Sequence, residues 1–88
     1  MKILITGCCG FIGFNFSNYL CNKNKKFKII GIDNLNNYYS VKFKKFRLKE
    51  LKKNKNFSFK KIDLNDYKNF ENIFLKNKFD YVLNLAAQ

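Results

Sequence analysis

An α/β fold built on a parallel sheet is predicted by three features of this 88-residue sequence. Four short apolar segments have the length of buried strands, the segments between them carry apolar residues at helical spacing, and no linker or repeat separates them. Strands that alternate with helices pair in parallel through right-handed crossovers. The predicted strand order is therefore 3-2-1-4, with helices on both faces of the sheet, in one continuous unit over residues 1–88.

The first half of the chain predicts a strand, a helix and a second strand. Residues 2–6 form an apolar run that ends at Gly7, as a strand buried on both faces does. Residues 11–22 predict a helix with an apolar face, formed by Ile12, Phe16, Tyr19 and Leu20. Residues 27–33 predict the second strand, which an Asn-rich connection follows.

The second half of the chain repeats this alternation. Ser40 is predicted to cap a helix that runs to about residue 51, with a less regular apolar pattern at Val41, Phe43, Phe46, Leu48 and Leu51. Residues 57–63 predict the third strand, and residues 79–87 predict the fourth. Between them Asp66 is predicted to cap a helix with one apolar face, formed by Tyr67, Phe70, Ile73 and Phe74.

A glycine motif, T-G-C-C-G-F-I-G, stands at residues 6–13 between the first strand and the first helix. Gly7 permits a sharp turn, Gly10 lets a phosphate approach the backbone, and Gly13 lets the helix pack close to the sheet. The first-turn amides, including those of Phe11 and Ile12, then face a pyrophosphate with the positive end of the helix dipole behind them. Because the motif joins the first strand to the first helix, the four predicted strands are interpreted as the first four of a Rossmann-type sheet. The motif itself predicts that this sheet binds a dinucleotide.

Asp33 lies at the end of the second predicted strand, 20 residues beyond Gly13. A carboxylate at this point can accept hydrogen bonds from the adenosine ribose hydroxyls, and it repels a 2′-phosphate. The sequence therefore predicts NAD rather than NADP. The alternative is that Asp33 only opens a turn with Asn34.

Two further groups of residues follow predicted strands at the edge where open parallel sheets bind ligands. Asp63 follows the third strand and could hold the adenine amino group, while the small Ala86 and Ala87 follow the fourth and leave room for a cofactor. The alternative for Asp63 is a turn before the Asp66 helix cap, and both interpretations can hold together.

The chain carries 18 Lys and Arg residues against 6 Asp and Glu residues, a formal net charge of +12. Such a charge suggests a nucleic-acid-binding domain as an alternative function. Most of the cations are scattered between Lys23 and Lys78, however, and all but Arg47 are lysines, whereas proteins that recognise bases favour arginine. We therefore predict no nucleic-acid partner.

The three cysteines, Cys8, Cys9 and Cys21, are an odd number in a chain without a recognisable signal peptide, which predicts reduced thiols and a cytoplasmic location. Cys8 and Cys9 are predicted to be small fillers of the glycine loop, since two ligands are too few for a zinc site. No metal site is predicted. The apolar segments are shorter than the ~20 residues that cross a bilayer, so no membrane partner is predicted either.

Four segments resemble the extended short-chain dehydrogenase/reductase family: T-G-C-C-G-F-I-G from residue 6, D-N-L from residue 33, D-L from residue 63 and L-A-A-Q from residue 85. The resemblance spans all 88 residues. Within it, residues 31–48 and 79–88 are most similar to the UDP-glucuronate 4-epimerase subgroup. Cys8 and Cys9 depart from the family by standing where Ala or Gly is common, and Asn84 stands where His is frequent.

The resemblance implies NAD as the cofactor and assigns the cofactor contacts to particular positions of this sequence. These are Gly7, Gly10, Phe11, Ile12, Gly13, Asp33, Asn34, Asn36, Asp63, Leu64, Leu85, Ala86 and Ala87, with Gln88 as a further candidate.

The resemblance also implies a reaction on a nucleotide sugar. Such epimerases take a hydride from C4 of a UDP-sugar, here UDP-glucuronate, and return it to the opposite face. A Tyr-x-x-x-Lys pair that follows the fifth strand supplies acid/base catalysis in the family. The same spacing at Tyr38 and Lys42 follows the second strand, too far from the reacting carbon, so no catalytic residue is predicted in residues 1–88.

We accordingly expect an inactive N-terminal fragment of an NAD-binding Rossmann domain, without the remaining strands and the substrate subdomain. The family resemblance implies a homodimer for the full-length protein. The alternatives are a dehydratase, decarboxylase or reductase of the same family, or a noncatalytic dinucleotide-binding module.

Overall fold

The computed structural model describes residues 1–35 and 41–85, and of Val41 only the backbone. Its described part contains four strands and three helices in strict alternation. They are β1 (Lys2–Thr6), α1 (Phe11–Lys23), β2 (Lys28–Asp33), α2 (Val41–Leu51), β3 (Phe57–Lys61), α3 (Tyr67–Lys76) and β4 (Tyr81–Asn84). The strands form one parallel sheet in the order β3-β2-β1-β4, so the predicted Rossmann-type topology is confirmed.

Strand β1 lies at the centre of the sheet and sets the register of its neighbours. Ile3 pairs with Ile29 of β2 on one side and with Tyr81 of β4 on the other. At the far end Thr6 lies between Ile32 and Asn84. The carboxyl ends of β1, β2 and β4 therefore meet at one edge, which is where open parallel sheets bind ligands.

Helices cover both faces of the sheet because successive strand residues point to opposite sides. One core cluster joins Ile3, Ile5 and Ile29 to residues of α1 and α2, namely Cys21, Leu48 and Leu51. The other core cluster joins Leu4, Ile30 and Ile32 to Ile73 of α3. Strands β1 and β2 are therefore apolar on both faces, as the sequence predicts for central parallel strands.

Two predicted strands are too long. Strand β3 ends at Lys61 instead of residue 63 because Asp63 forms a turn: its Oδ1 accepts the N–H of Asn65 at 2.9 Å, and its carbonyl accepts the N–H of Asp66 at 2.8 Å. Strand β4 spans Tyr81–Asn84 instead of residues 79–87, and the last two residues of the predicted strand, 86 and 87, lie outside the described part.

The cap predictions have different outcomes. Asp66 is the N-cap of α3, and its side chain accepts the N–H of Asn69 at 3.4 Å, which confirms that prediction. Ser40, the predicted cap of α2, lies outside the described residues.

The predicted apolar face of α1 is wrong at Ile12, Phe16 and Tyr19, whereas the fourth predicted residue, Leu20, is partly buried against the core cluster. Ile12, Phe16 and Tyr19 are 67%, 37% and 55% exposed, whereas the buried residues of α1 are Gly13, Ser17 and Cys21. The helical period is therefore right but the face is shifted by one residue. The reason at the start of the helix is steric, since α1 lies so close to the preceding turn that only glycine fits at residue 13.

The apolar patterns of the other two helices are correct only in part. In α2, Leu48 and Leu51 are buried while Phe43 and Phe46 are exposed. In α3, Ile73 is buried, Phe70 and Phe74 form an edge-on pair beside it, and Tyr67 is exposed. Of the predicted face of α3, only its central part packs on the sheet.

Candidate dinucleotide-binding site

The predicted glycine motif forms the bend between β1 and α1. Gly7 has a φ of 72°, a left-handed conformation that favours glycine. The N–H groups of Gly7 and Cys8 both donate to the carbonyl of Ile32, at 2.8 and 3.2 Å. Gly10 N–H in turn donates to the Gly7 carbonyl at 3.1 Å. The turn is thus fixed to the end of β2 before α1 begins.

Gly13 is required by close packing, although its nearest neighbour is the turn and not a strand. A Cβ at Gly13 would stand 2.0 Å from the Gly7 carbonyl oxygen and 3.0 Å from Cys8 Cα. Real Cβ atoms do not approach backbone atoms so closely. The sequence prediction of close helix packing at Gly13 therefore holds, with the Gly7 carbonyl as the group that demands it.

At Gly10, neither the backbone conformation nor the packing requires glycine. Its φ of −70° and ψ of 170° suit any residue, and a Cβ there would meet the Gly7 carbonyl oxygen at 3.4 Å, an ordinary contact. The space beside Gly10 is therefore open at the N-cap of α1. This opening fits a diphosphate, which must approach the backbone more closely than a side chain would allow.

The first turn of α1 faces the same opening. A helix leaves its first N–H groups without helical acceptors, and Gly10 as N-cap has no side chain to satisfy them. The side chains of Phe11 and Ile12 are exposed and do not pack into the core. The arrangement can bind an anion through backbone amides and the helix dipole.

Asp33 points at this turn from the end of β2. The residue is 5% exposed, and its Oδ2 accepts the N–H of Cys9 at 3.0 Å. Its Oδ1 accepts the N–H of Leu35 at 2.8 Å. The carboxylate therefore lies beside the glycine turn and also closes a turn of its own, while its part as an acceptor for the ribose hydroxyls stays a prediction.

Two cations of α2 that the sequence analysis did not single out complete the site. Lys44 Nζ lies 3.2 Å from Asp33 Oδ1, with the side chains 12% and 3% exposed. Arg47 Nη1 donates to the Cys9 carbonyl at 3.1 Å, and its guanidinium lies over the Phe11 ring. Lys44 has no signal of its own among the many lysines, whereas Arg47 stands out in the sequence as the single arginine.

Four other predicted cofactor contacts lie in the described part of the chain. Asp63 is exposed in its turn beyond β3, and Leu64 is half-buried next to it. Leu85 donates its N–H to the Thr6 carbonyl at 3.1 Å and packs against the core cluster beneath α1 and α2. Asn34 is half-buried beside Asp33. These four assignments stay predictions.

Several predicted positions lie outside the described residues. They are Asn36, Ala86, Ala87 and Gln88, together with Tyr38 of the Tyr-x-x-x-Lys spacing. Lys42, the other end of that spacing, is exposed on α2.

Asn84, which stands where His is frequent in the family that the sequence resembles, makes a hydrogen bond between two strands. Its Oδ1 accepts the hydroxyl proton of Thr6 at 2.5 Å, across the paired ends of β1 and β4. The bond fixes the side chain of the residue that precedes the glycine turn, so the substitution keeps a hydrogen-bond acceptor at the binding edge.

The three cysteines are wholly buried in the core cluster beneath α1 and α2. The hydrogen bond with the Cys9 thiol, together with burial, raises the pKa of Cys8 far above its ordinary value. Burial raises the pKa of Cys21 to about 11. Cys8 and Cys9 are thus core residues beneath the turn, with Sγ atoms 3.9 Å apart, and more than fillers of a loop.

We expect all three thiols to resist iodoacetamide in the folded protein at neutral pH, because the thiolate is the nucleophile and both burial and the raised pKa of Cys8 and Cys21 suppress it. Mass spectrometry after a timed exposure measures the modification. The same exposure in concentrated urea is the control and should alkylate all three. Rapid modification of Cys8 in the folded protein would contradict the buried placement.

Within residues 1–35 and 41–85, no group of three or more His, Cys, Asp or Glu side chains could hold a metal ion. Among the described helices none is long and apolar enough to cross a membrane.

The chain is similar to both epimerases and dehydratases of nucleotide sugars. It is 40% identical over 85 residues to a UDP-glucuronate 4-epimerase of Thermodesulfobacterium geofontis, covering 97% of this chain and 26% of the relative. It is 45% identical over 86 residues to a dTDP-D-glucose 4,6-dehydratase of Dictyostelium discoideum, covering 98% of this chain and 19% of the relative. The chain spans about a quarter of the length of the curated relatives that it matches.

A solved structure shows the same fold around a bound cofactor. The UDP-glucuronic acid 4-epimerase of Bacillus cereus, in complex with UDP-glucuronic acid and NAD, superimposes with a TM-score of 0.85 at 31% identity, over 99% of this chain and 26% of that chain. The predicted cofactor, NAD, is thus the one that this structural neighbour binds. The GDP-mannose 4,6 dehydratase family matches residues 4–88. The chain therefore belongs to that family, within the epimerases and dehydratases of the extended short-chain dehydrogenase/reductase group that the sequence resembles.

Proposed function

We propose that residues 1–88 are the N-terminal, NAD-binding part of a nucleotide-sugar 4-epimerase whose substrate is UDP-glucuronate. The observation that carries the proposal is the junction of the glycine turn with the Asp33 carboxylate, which accepts the Cys9 N–H at 3.0 Å. Amides for a diphosphate and an acceptor for the neighbouring ribose are thereby held side by side. The similarity to a UDP-glucuronate 4-epimerase supports the reaction and the substrate.

Each part of this site has a separate task in binding NAD. The open side of Gly10 admits the diphosphate, and the first-turn amides of Phe11 and Ile12 compensate its charge. The Asp33 carboxylate accepts a ribose hydroxyl and disfavours a 2′-phosphate. The hydrogen bond from Arg47 to the Cys9 carbonyl holds the turn in the conformation that binds the diphosphate.

NAD, when bound, supplies reversible hydride acceptance, which lets C4 of the sugar be oxidised to a ketone and then reduced from its other face. The proton of the C4 hydroxyl needs a base, and we propose that the Tyr-x-x-x-Lys pair of the family supplies it from beyond residue 88. Residues 1–88 then have a binding task only. We further propose that the full-length protein is a cytoplasmic homodimer.

A 4,6-dehydratase is the second candidate, and the 45% identity to a dTDP-D-glucose 4,6-dehydratase favours it equally. The cofactor half serves both reactions, since both begin by oxidation at C4. They differ at C6, where a dehydratase must expel a hydroxyl as water. UDP-glucuronate carries a carboxylate at C6 and has no such leaving group, so the choice of sugar separates the two reactions.

Product analysis of the complete protein that carries these 88 residues tests the proposal. We expect UDP-glucuronate to give its C4 epimer with no net change in the amount of NAD. Loss of one water from dTDP-glucose would establish the dehydratase instead, and release of carbon dioxide from UDP-glucuronate would indicate a decarboxylase. NAD binding without turnover of any nucleotide sugar would favour a noncatalytic module.

Gly10→Ala is expected to weaken NAD binding by at least about tenfold, since an added methyl group would occupy the approach of the diphosphate. The fold should persist because the new Cβ meets the Gly7 carbonyl at an ordinary 3.4 Å. Isothermal titration of the complete protein with NAD measures the affinity, and the melting temperature serves as the control. Unchanged affinity would argue that no phosphate group lies against Gly10.

A further inference from the structure

We propose that Lys44 is a second determinant of cofactor choice, one that attracts the 2′-substituent of the adenosine ribose while Asp33 selects against a phosphate there. The proposal rests on the proposed function, because it requires a dinucleotide at the glycine turn. It concerns the ion pair of 3.2 Å between Lys44 Nζ and Asp33 Oδ1, at the end of β2 beside that turn.

The hydrogen bonds of Asp33 leave it little capacity for a ribose. A carboxylate offers about four lone-pair positions. Within the described residues, Leu35 N–H and Lys44 Nζ occupy Oδ1, and Cys9 N–H occupies one position of Oδ2. Asp33 can therefore accept one ribose hydroxyl readily, and the second hydroxyl needs another partner.

Lys44 is placed to be that partner. Its ammonium group has three N–H donors, of which one is directed at Asp33. The free position of Asp33 is on Oδ2, and a hydroxyl oxygen bonded there at ordinary length would lie within about 8 Å of Lys44 Nζ, a gap that a change of lysine rotamer can close. The Lys44 side chain is only 12% exposed, so water screens its charge weakly.

Among the charged groups around the ribose position, the Asp33 carboxylate is the one that repels the 2′-phosphate of NADP. Asp33 contributes one negative charge, while Lys44 and Arg47 contribute two positive charges from the same helix. A 2′-phosphate is thus repelled by Asp33 and attracted by Lys44. Removing the negative charge alone should convert the position into a phosphate site, because Lys44 then loses its partner and can pair with the phosphate.

Titration of the complete protein with NAD and NADP in four forms tests the proposal: wild type, Asp33→Asn, Lys44→Met, and the double variant. We expect Asp33→Asn to raise the ratio of NADP to NAD affinity by at least about tenfold, in keeping with hydrogen bonds to charged groups. The double variant should lose most of that gain. Lys44→Met alone should weaken NADP binding more than NAD binding. Lys45→Met, which removes an exposed lysine next to Lys44, is the matched control and should leave both affinities unchanged.

Each result bears on one of the two proposals. If the double variant keeps the NADP gain of Asp33→Asn, or if Lys44→Met weakens both cofactors equally, Lys44 has no part in the choice while the proposed function stands. If the wild type binds neither NAD nor NADP, the proposed function fails and this inference fails with it. Should Asp33→Asn not fold, as its melting curve would reveal, the comparison of Lys44→Met with Lys45→Met decides alone.

Discussion

Gly13→Ala is expected to lower the free energy of unfolding by about 3 kcal/mol or more and to abolish dinucleotide binding. The added methyl carbon would stand 2.0 Å from the Gly7 carbonyl oxygen and 2.8 Å from the Gly7 carbonyl carbon. Both are backbone atoms, so no side-chain rotation can relieve the overlap. Either α1 must move away from the turn, or Gly7 must give up its 2.8 Å hydrogen bond to the Ile32 carbonyl.

Urea unfolding followed by circular dichroism measures this loss of stability. Gly10→Ala is the matched control, since it adds the same methyl group three residues earlier in the same motif. It should cost about 1 kcal/mol or less, the ordinary difference between glycine and alanine at an N-cap. Equal stability of the two variants would show that α1 can move from the turn at little cost, against the close packing at Gly13.

The strand order could be predicted because it depends on alternation alone. Apolar runs that alternate with helical segments leave few arrangements once crossovers must be right-handed. The ends of β3 and β4 could not be predicted in the same way. The Asp63 side chain accepts the N–H of Asn65 and so forms a turn in place of a further strand pair. Whether a residue of this type forms a turn or extends a strand depends on the geometry of its side chain, which cannot be read from the order of apolar and polar residues.

The face of α1 shows why a correct period can place the wrong residues in the core. The sequence prediction assumed that the large residues Ile12 and Phe16 face the sheet. Distance decides otherwise, because the contact of Gly13 with the Gly7 carbonyl holds the helix too close for them. Ser17 and Cys21 are buried instead, because both side chains are small. The glycine motif itself was the signal, since it implies close approach along one side of the helix.

Some residues of the candidate site could be predicted from the sequence and others could not. Gly7, Gly13 and Asp33 could be placed from the sequence because their parts follow from backbone geometry at the ends of β1 and β2. Lys44 and Arg47 could not, because their positions depend on how α2 packs across the sheet and on which of many similar cations reaches inward. All of the 18 cations but Arg47 are lysines, so the residue type does not distinguish Lys44 from the other lysines, although it does distinguish Arg47.

Asp33→Ala is expected to weaken NAD binding in the complete protein by at least about tenfold, since the proposed hydrogen bond from the ribose to the charged carboxylate is lost. The substitution should also lower the free energy of unfolding by about 3 kcal/mol, the usual cost of breaking a buried ion pair by removing one partner. It leaves the Lys44 ammonium, the Cys9 N–H and the Leu35 N–H without their acceptor. Titration calorimetry and urea unfolding measure the two effects separately.

Glu50→Ala is the matched control, because it removes one carboxylate from α2 that pairs with Lys53 at the surface. Such a pair, with side chains 66% and 34% exposed, contributes less than about 1 kcal/mol. If Asp33→Ala behaved like Glu50→Ala in both measurements, Asp33 would neither hold the ribose nor join the turn to β2. If only the stability fell, Asp33 would be a structural residue of the turn, and the preference for NAD would have to come from another part of the site.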